Sequence, residues 1–289
     1  MLDTISRVQS RFIAAADPVH VFNDLLGDFL TLTNSEYGFI GEIFYTGDNQ
    51  PYLQTHAITN LAWNDETRAF YDANIATGLK FYNLNTLFGR VMVTGEPMIA
   101  NHPVNHPHRG GIPEGHPPLN TFLGLPLYSG DTLVGMAGLA NRPGGYDEKL
   151  IAHLQPMTNT CANLIQAHRN NRQRHDAEES LRTSQQQLQT VLDNLTSVVY
   201  VKNLQGHTLL VNNEGARRLG LDRPSIIGKT DYDLFPKEIA GALRARDKAA
   251  LDAKAVVSGE ETLPLDGKLH TFLSTRFPLF DASGNIYAL

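Results

Sequence analysis

The chain has 289 residues, 42% of them hydrophobic and 19% charged, with a formal net charge of −6. That balance excludes a disordered charged tail, and the acidic sum gives no nucleic-acid footprint. No run approaches the ~18 apolar residues of a membrane helix, and Met1-Leu2-Asp3-Thr4 does not open a signal peptide. The single cysteine, Cys161, excludes an intramolecular disulfide framework or a multi-cysteine zinc site. The length predicts two domains of a soluble, cytoplasmic protein with neither membrane nor nucleic acid as a partner.

Leu2, Ile5, Val8 and Phe12 fall at helical spacing. Asp17-Pro18 then supplies a cap and a first-turn proline for a helix carrying Val21, Phe22, Leu25, Leu26, Phe29 and Leu30. Phe39 to Tyr45 and Tyr52 to Ile58 read as strands around the turn Thr46-Gly47-Asp48-Asn49. Asn64 or Asp65 caps a further helix, Asn85 to Thr94 reads as another ending at Gly95, and Met98-Ile99-Ala100 is a short strand. Asn101 to Pro118 is irregular and dense in Pro, Gly and His, long for a connection and suited to a lid. Two strands, Phe122 to Tyr128 and Leu133 to Ala140, close the unit through Ser129-Gly130-Asp131.

From Asp147 to about Thr196 the Pro–Gly punctuation disappears apart from Pro156. Leu154, Met157, Cys161 and Leu164 make one seam; Leu181, Leu188, Val191 and Leu195 make another in a shifted register. The segment reads as one long helix whose second seam pairs with a second chain, since its polar middle is too long to stand alone. A single solvated helix is the other reading. Beyond it, Val198 to Lys202 and Thr208 to Val211 form a hairpin around Asn203-Leu204-Gln205-Gly206. Glu214 to Leu219 and Pro224 to Ile227 are short helical pieces, and Pro236 to Ala253 is a longer amphipathic helix. Glu260 to Leu265, His270 to Phe280 and Ile286 onward are antiparallel strands, the first two joined at Asp266-Gly267.

Three segments of the first half carry a resemblance: Gly115-His116-Pro117-Pro118-Leu119, Phe122-Leu123-Gly124-Leu125-Pro126-Leu127, and Gly130 through Arg142. With the helix–strand order, they make residues 1–165 resemble a GAF domain. In the second half the carriers are Val201 to Gly206, Asn212-Asn213, Ile227 to Pro236, and Phe277 to Asp281 before Gly284-Asn285-Ile286. Residues 190–289 resemble a PAS domain. The implied class is α+β: two sensory domains, each an antiparallel sheet beside helices, joined by a coiled-coil signalling helix over 147–196. Both resemblances imply input modules of bacterial signalling proteins, such as sensor histidine kinases of two-component systems or diguanylate cyclases. In PAS relatives the strand entered at Ile286 continues toward an output module, so a C-terminally truncated input region is expected.

Catalytic motifs are not found in these residues. There is no phosphate-binding loop, no nucleophile elbow, no histidine-kinase phosphoacceptor or ATP-binding box and no diguanylate cyclase signature. Asp24, Glu36 and Glu42 read as scattered surface or cap carboxylates. His102, His106, His108 and His116 crowd one loop, but their spacing and intervening prolines fit loop packing better than a zinc site. Cofactor signatures are also missing. Cys161 falls at core spacing and not at a bilin pocket, no LOV-type Asn-Cys-Arg-Phe segment for flavin occurs, and His207 and His270 are the PAS-half histidines open to haem. Asn141-Arg142, Tyr146 and Asp147-Glu148 depart from the cyclic-nucleotide pattern of GAF domains and read as closing the last strand.

The resemblance implies pocket residues. In the GAF half these are Trp63, Tyr71, Phe81, Phe88, His102, Arg109 and His116, with Arg109 able to meet an anion. In the PAS half they are Tyr200, Asn212, Tyr232, Phe235, Phe272 and Ser274, while Asp231 and Asp233 read as turn and cap residues. The expected function is a sensory input region in a homodimer. It binds a small molecule or relays a conformational signal to an output module. The alternatives are a ligand-free dimerisation scaffold and a catalytic GAF of the methionine sulfoxide reductase kind, which would need several reactive cysteines. A cavity above ~300 Å³ lined by polar and aromatic groups favours sensing.

Overall fold

The computed structural model describes residues 18–59, 77–110, 118–265 and 268–289. The helices expected around Leu2–Phe12 and after Asn64 or Asp65, the segment 111–117 and the Asp266-Gly267 turn lie outside the described residues. The chain divides into two compact units, Met1–His175 and Asp176–Leu289.

The first unit is built on a six-stranded antiparallel sheet. Its strands are β1 (Tyr37–Tyr45), β2 (Pro51–Ile58), β3 (Lys80–Phe81), β4 (Met98–Ala100), β5 (Phe122–Ser129) and β6 (Thr132–Ala140), in the order β3-β2-β1-β6-β5-β4. Helix α1 (Pro18–Thr33) and the first turns of α3 (Glu148–Asn194) bring apolar stripes to this core, and α2 (Leu87–Thr94) adds another. One cluster joins Phe22, Leu25 and Phe29 of α1 to Leu123, Leu125 and Leu127 of β5 and to Leu154, Met157, Cys161 and Ile165 of α3. A second joins Leu87, Val91 and Met92 of α2 to Ile43, Leu53, Phe122 and Met136. The neighbours Phe122 and Leu123 fall in different clusters because consecutive strand residues point to opposite faces. β1 is therefore buried along most of its length and not alternately. Thr86 caps α2 by accepting from the Gly89 amide, and Gly95 ends it in the left-handed region at φ 69°.

Helix α3 has 47 residues, within the predicted 147–196. Asp147 caps its start, accepting from the Leu150 amide at 2.8 Å. Its buried side chains are confined to Leu154–Ile165. Among the described residues no helix is long and apolar enough to cross a membrane.

The second unit opens with β7 (Tyr200–Lys202) and β8 (Thr208–Val211), an antiparallel pair. Short helices α4 (Asn213–Leu219), α5 (Arg223–Ile226) and α6 (Asp231–Leu234) follow, then α7 (Lys237–Ala253). β9 (Val257–Leu265) pairs with β10 (Lys268–Arg276), and β11 (Leu279–Phe280) with β12 (Ile286–Ala288). The expected strand His270–Phe280 is broken in two at Phe277-Pro278, where proline cannot donate to a ladder. β7 meets β12 through reciprocal backbone hydrogen bonds between Lys202 and Leu289, both 2.9 Å.

Candidate functional site

The second unit holds a partly open cavity of about 350 Å³. Its apolar wall includes Val211, Leu219, Ile226, Leu234, Phe235, Leu263 and Phe272. Its polar lining includes Tyr200, Lys202, Thr208, Arg218, Asp231, Glu261 and Ser274. Strand parity explains part of this arrangement: Phe272, Ser274 and Arg276 share the less exposed face of β10, and Phe272 stands directly opposite Glu261 of β9.

Part of this polar lining belongs to a buried network of charge, which Asp247 and Arg276 complete. Lys202 donates from Nζ to both oxygens of Asp231 at 2.7 Å and to Asp247 Oδ2 at 2.9 Å. Arg276 donates from Nε to Asp247 Oδ1 at 2.8 Å and from Nη2 to Glu261 Oε2 at 2.7 Å, and its Nη1 reaches Ser274 Oγ. The Lys202, Asp231, Asp247 and Arg276 side chains are each at most 6% exposed. Lys202 Nζ also lies 4.8 Å from the centre of the Tyr200 ring. Burial, joined by the charge of Asp247, holds the Asp231 carboxyl above the usual range even though Lys202 pulls it down. Burial likewise raises the Tyr200 phenol.

Of the PAS-half residues singled out in the sequence, the structure gathers Tyr200, Phe235, Phe272 and Ser274 around this cavity. Tyr232 is 55% exposed and stands apart from it. Asn212 is fully buried in a different role. Its Oδ1 accepts from Val199 and Gly215, and its Nδ2 donates to the Leu192 and Ser197 carbonyls, each at 2.9–3.1 Å. It thereby fastens the last turn of α3 to the start of α4. Lys202, Asp247, Glu261 and Arg276 were missed by sequence reasoning, and Asp231, read as a turn residue, is a buried ion-pair partner. A signal existed: Asp247 sits on the apolar stripe Ala240, Leu243, Ala250 of α7.

In the first unit Phe81 and Phe88 pack edge to face at 5.5 Å and both lie near Phe39, at 6.3 and 6.2 Å. His102 precedes a short 3-10 turn, Pro103–Asn105, and is exposed. Arg109 is exposed and donates to the Val104 carbonyl at 2.6 Å within the same loop. Trp63, Tyr71 and His116 lie outside the described residues. Among the described residues no three His, Cys, Asp or Glu side chains gather as metal ligands. Cys161 is fully buried, and burial alone raises its thiol, so it is no nucleophile in this setting.

Glu42, read as a surface or cap residue, is instead wholly buried in β1. It pairs with His56 at 3.0 Å, Arg169 at 2.9 Å and Arg172 at 3.2 Å, and Arg169 also donates to the Ile43 carbonyl at 3.0 Å. Burial pushes the carboxyl up, but hydrogen bonds from His56 and Arg169 and the charge of Arg172 outweigh it, so Glu42 titrates below its ordinary range. His56 stacks on Phe22 at 4.5 Å and meets His168 edge to face at 5.4 Å. The sheet thus holds α3 by charge where the apolar contact ends. Beyond it, Leu181, Leu188 and Val191 are 59–61% exposed and Leu195 is 42% exposed.

Residues 15–166 match the GAF domain family and residues 192–289 match the PAS fold. A stretch of 117 residues, 40% of the chain, is 31% identical to the methyl sulfide methyltransferase-associated sensor of Methanosarcina acetivorans, and this match spans 11% of that sensor's length. Among solved structures, the GAF domain of a phosphoenolpyruvate-protein phosphotransferase from Coxiella burnetii is 17% identical, with a TM-score of 0.47, over 59% of this chain and 95% of that one. The Vibrio cholerae VqmA dimer is 23% identical, with a TM-score of 0.32, over 34% of this chain and 45% of that one. The chain is a member of the GAF domain family, carrying a PAS domain after its GAF domain, and is a sensory input region similar to those of signalling sensors.

Proposed function

We propose that the PAS unit binds a small molecule in its cavity, and that α3, paired in parallel with the same helix of a second copy, relays its state within a signal-transduction protein. The output module and the direction of the response belong to the whole protein. The observation that carries the reading is the cavity of about 350 Å³. It lies within the ~300–1,000 Å³ range of ligand sites and combines aromatic walls with a few convergent polar groups. Buried charges cost several kcal/mol each to desolvate, and those beside this cavity are held in mutual ion pairs. Native mass spectrometry of the chain purified from its own host tests this. A retained small molecule that leaves on denaturation is expected. A bare chain that also gains no thermal stability from a host metabolite extract would overturn it.

A further inference from the structure

Resting on the reading of the cavity as a ligand site, we infer that Asp193 and Arg223 couple that cavity to α3, so that an occupant tightens the last turn of the helix. The starting point is an acid in an unfavourable place. Asp193 lies in the last turn of α3, which has no basic residue there, so its carboxylate faces the negative end of the helix dipole. Partners from further along the chain offset this. Asp193 Oδ1 accepts from the Asn213 amide at 3.0 Å and from Arg223 Nη2, while Oδ2 accepts from Gln189, one turn back, at 2.9 Å. Arg223 Nη2 also donates to Asn213 Oδ1 at 2.8 Å. Hydrogen bonds from Arg223 and Gln189 hold the Asp193 carboxyl below its ordinary range. Next to it the Leu192 carbonyl, an acceptor at a helix end, takes a hydrogen bond from Asn212 Nδ2 at 2.9 Å. The end of α3 is joined in this way to the start of two helices, since Asn213 opens α4 and Arg223 opens α5.

Those two helices form one wall of the cavity. Gly215, Arg218 and Leu219 of α4 and Ile226 of α5 line it, as do Thr196, Ser197 and Val198 of the segment leaving α3. Asn212 fastens both sides, accepting from the Gly215 amide at 3.1 Å and donating to the Ser197 carbonyl at 2.9 Å. Ile226 packs in one cluster with Val211 and Ala216, and Leu219 packs against it, so a displacement of the wall carries α4 and α5 together. Among the described residues Arg223 Nε is buried without a partner, so the guanidinium is held by Asp193 and Asn213. On the other side, Asp193 stands in sequence between Val191 and Leu195, the last residues of the exposed α3 seam. An occupant that fixes the wall therefore fixes the turn fastened to it. Neither Asp193 nor Arg223 lines the cavity, so both are positioning residues.

The test fills the cavity from the other walls, with Leu263→Trp on β9 or, should that not fold, Leu234→Phe on α6. Amide hydrogen exchange of the full chain reads residues 189–195. Filling is expected to slow exchange there about fivefold or more, a coupling of ordinary size between two sites. With Asp193→Ala or Arg223→Ala added, the slowing is expected to vanish, while residues 175–185 exchange as before. Arg223→Lys, which keeps a donor for Asp193, is expected to retain part of it. A merely structural role would leave the slowing intact in the Asp193→Ala background, and that result overturns the coupling. So does a filled cavity that leaves residues 189–195 unchanged. Should neither filled variant fold, Asp193→Ala alone decides: faster exchange at the Leu219 amide on the cavity wall is expected, and unchanged exchange overturns the coupling. Because a side chain and not a ligand fills the cavity, these failures leave the ligand reading standing. A bare chain in native mass spectrometry removes that reading and leaves the coupling.

Discussion

Lys202 makes three short hydrogen bonds to carboxylate oxygens while almost fully enclosed. Removing it leaves Asp231 and Asp247 buried with a large part of their counter-charge gone. Lys202→Met is expected to lower the stability of the PAS unit by about 3–5 kcal/mol, the usual cost of breaking one side of a buried pair. Urea denaturation measures it, and a loss below about 1 kcal/mol would show that water already reaches the network. Glu42 makes a prediction of opposite character, in pH. Its folded pKa lies below its unfolded value. Its contribution is therefore full above the unfolded pKa, about 4.3, and is lost as pH falls through the depressed folded value. The stability gap between the unaltered chain and Glu42→Gln should be widest near neutrality and should shrink on acidification below about pH 4. A gap that is constant from pH 7 to pH 3 would contradict the assignment. Neither cluster was evident in the sequence. Lys202, Asp231, Asp247 and Arg276 are ordinary charges spread along the chain, and only strand and helix parity turns them inward. Glu42 is hidden for a related reason: β1 is covered on both sides, so its burial does not alternate.

At the scale of elements, regular periodicity was readable and charge-driven closure was not. The apolar stripe of α1, the β5–β6 hairpin and the unbroken length of α3 follow from spacing alone, and each is where the pattern put it. The two-residue strand β3 and the single turn α6 are too short to carry a period. α6 owes its form to a capping box between Thr230 and Asp233. The second half of α3 poses a physical question: large apolar side chains at heptad spacing stand exposed, in a stretch too polar to fold on itself. The proposed pairing with a second copy would answer it. Leu181→Cys and Leu188→Cys are each expected to give interchain disulfides under mild oxidation, free of interference because Cys161 is buried. Leu188→Glu should shift the chain toward monomer in analytical ultracentrifugation. Absence of both effects would remove the pairing.

At the scale of the molecule, two separate cores predict two separable unfolding events. The first unit rests on its two apolar clusters, and the second on a smaller apolar cluster supplemented by the charge network. Phe29→Ala, fully buried in the first, is expected to cost about 3–5 kcal/mol and to move one transition. Lys202→Met is expected to move the other. Calorimetry showing both variants shifting one and the same transition would mean that the units unfold together. The family assignments were legible in the sequence because short motifs such as Gly130-Asp131 in the β5–β6 turn and Asn212-Asn213 at the start of α4 mark turns and caps that each fold needs. The cavity was not, because a void is a property of side chains brought together from β7, α6, β9 and β10.

Lys202 joins two of these features in one residue. Its side chain borders the cavity and carries an ammonium bonded to Asp231, and its amide and carbonyl both clasp Leu289 beside β12. An occupant that draws the ammonium away from Asp231 would therefore tug on a backbone clasp as well as alter a charge balance. Chemistry sensed at the tip of the side chain becomes leverage at its root. The Leu289 amide is the natural gauge of that leverage, since its exchange with solvent would register how firmly the clasp is held.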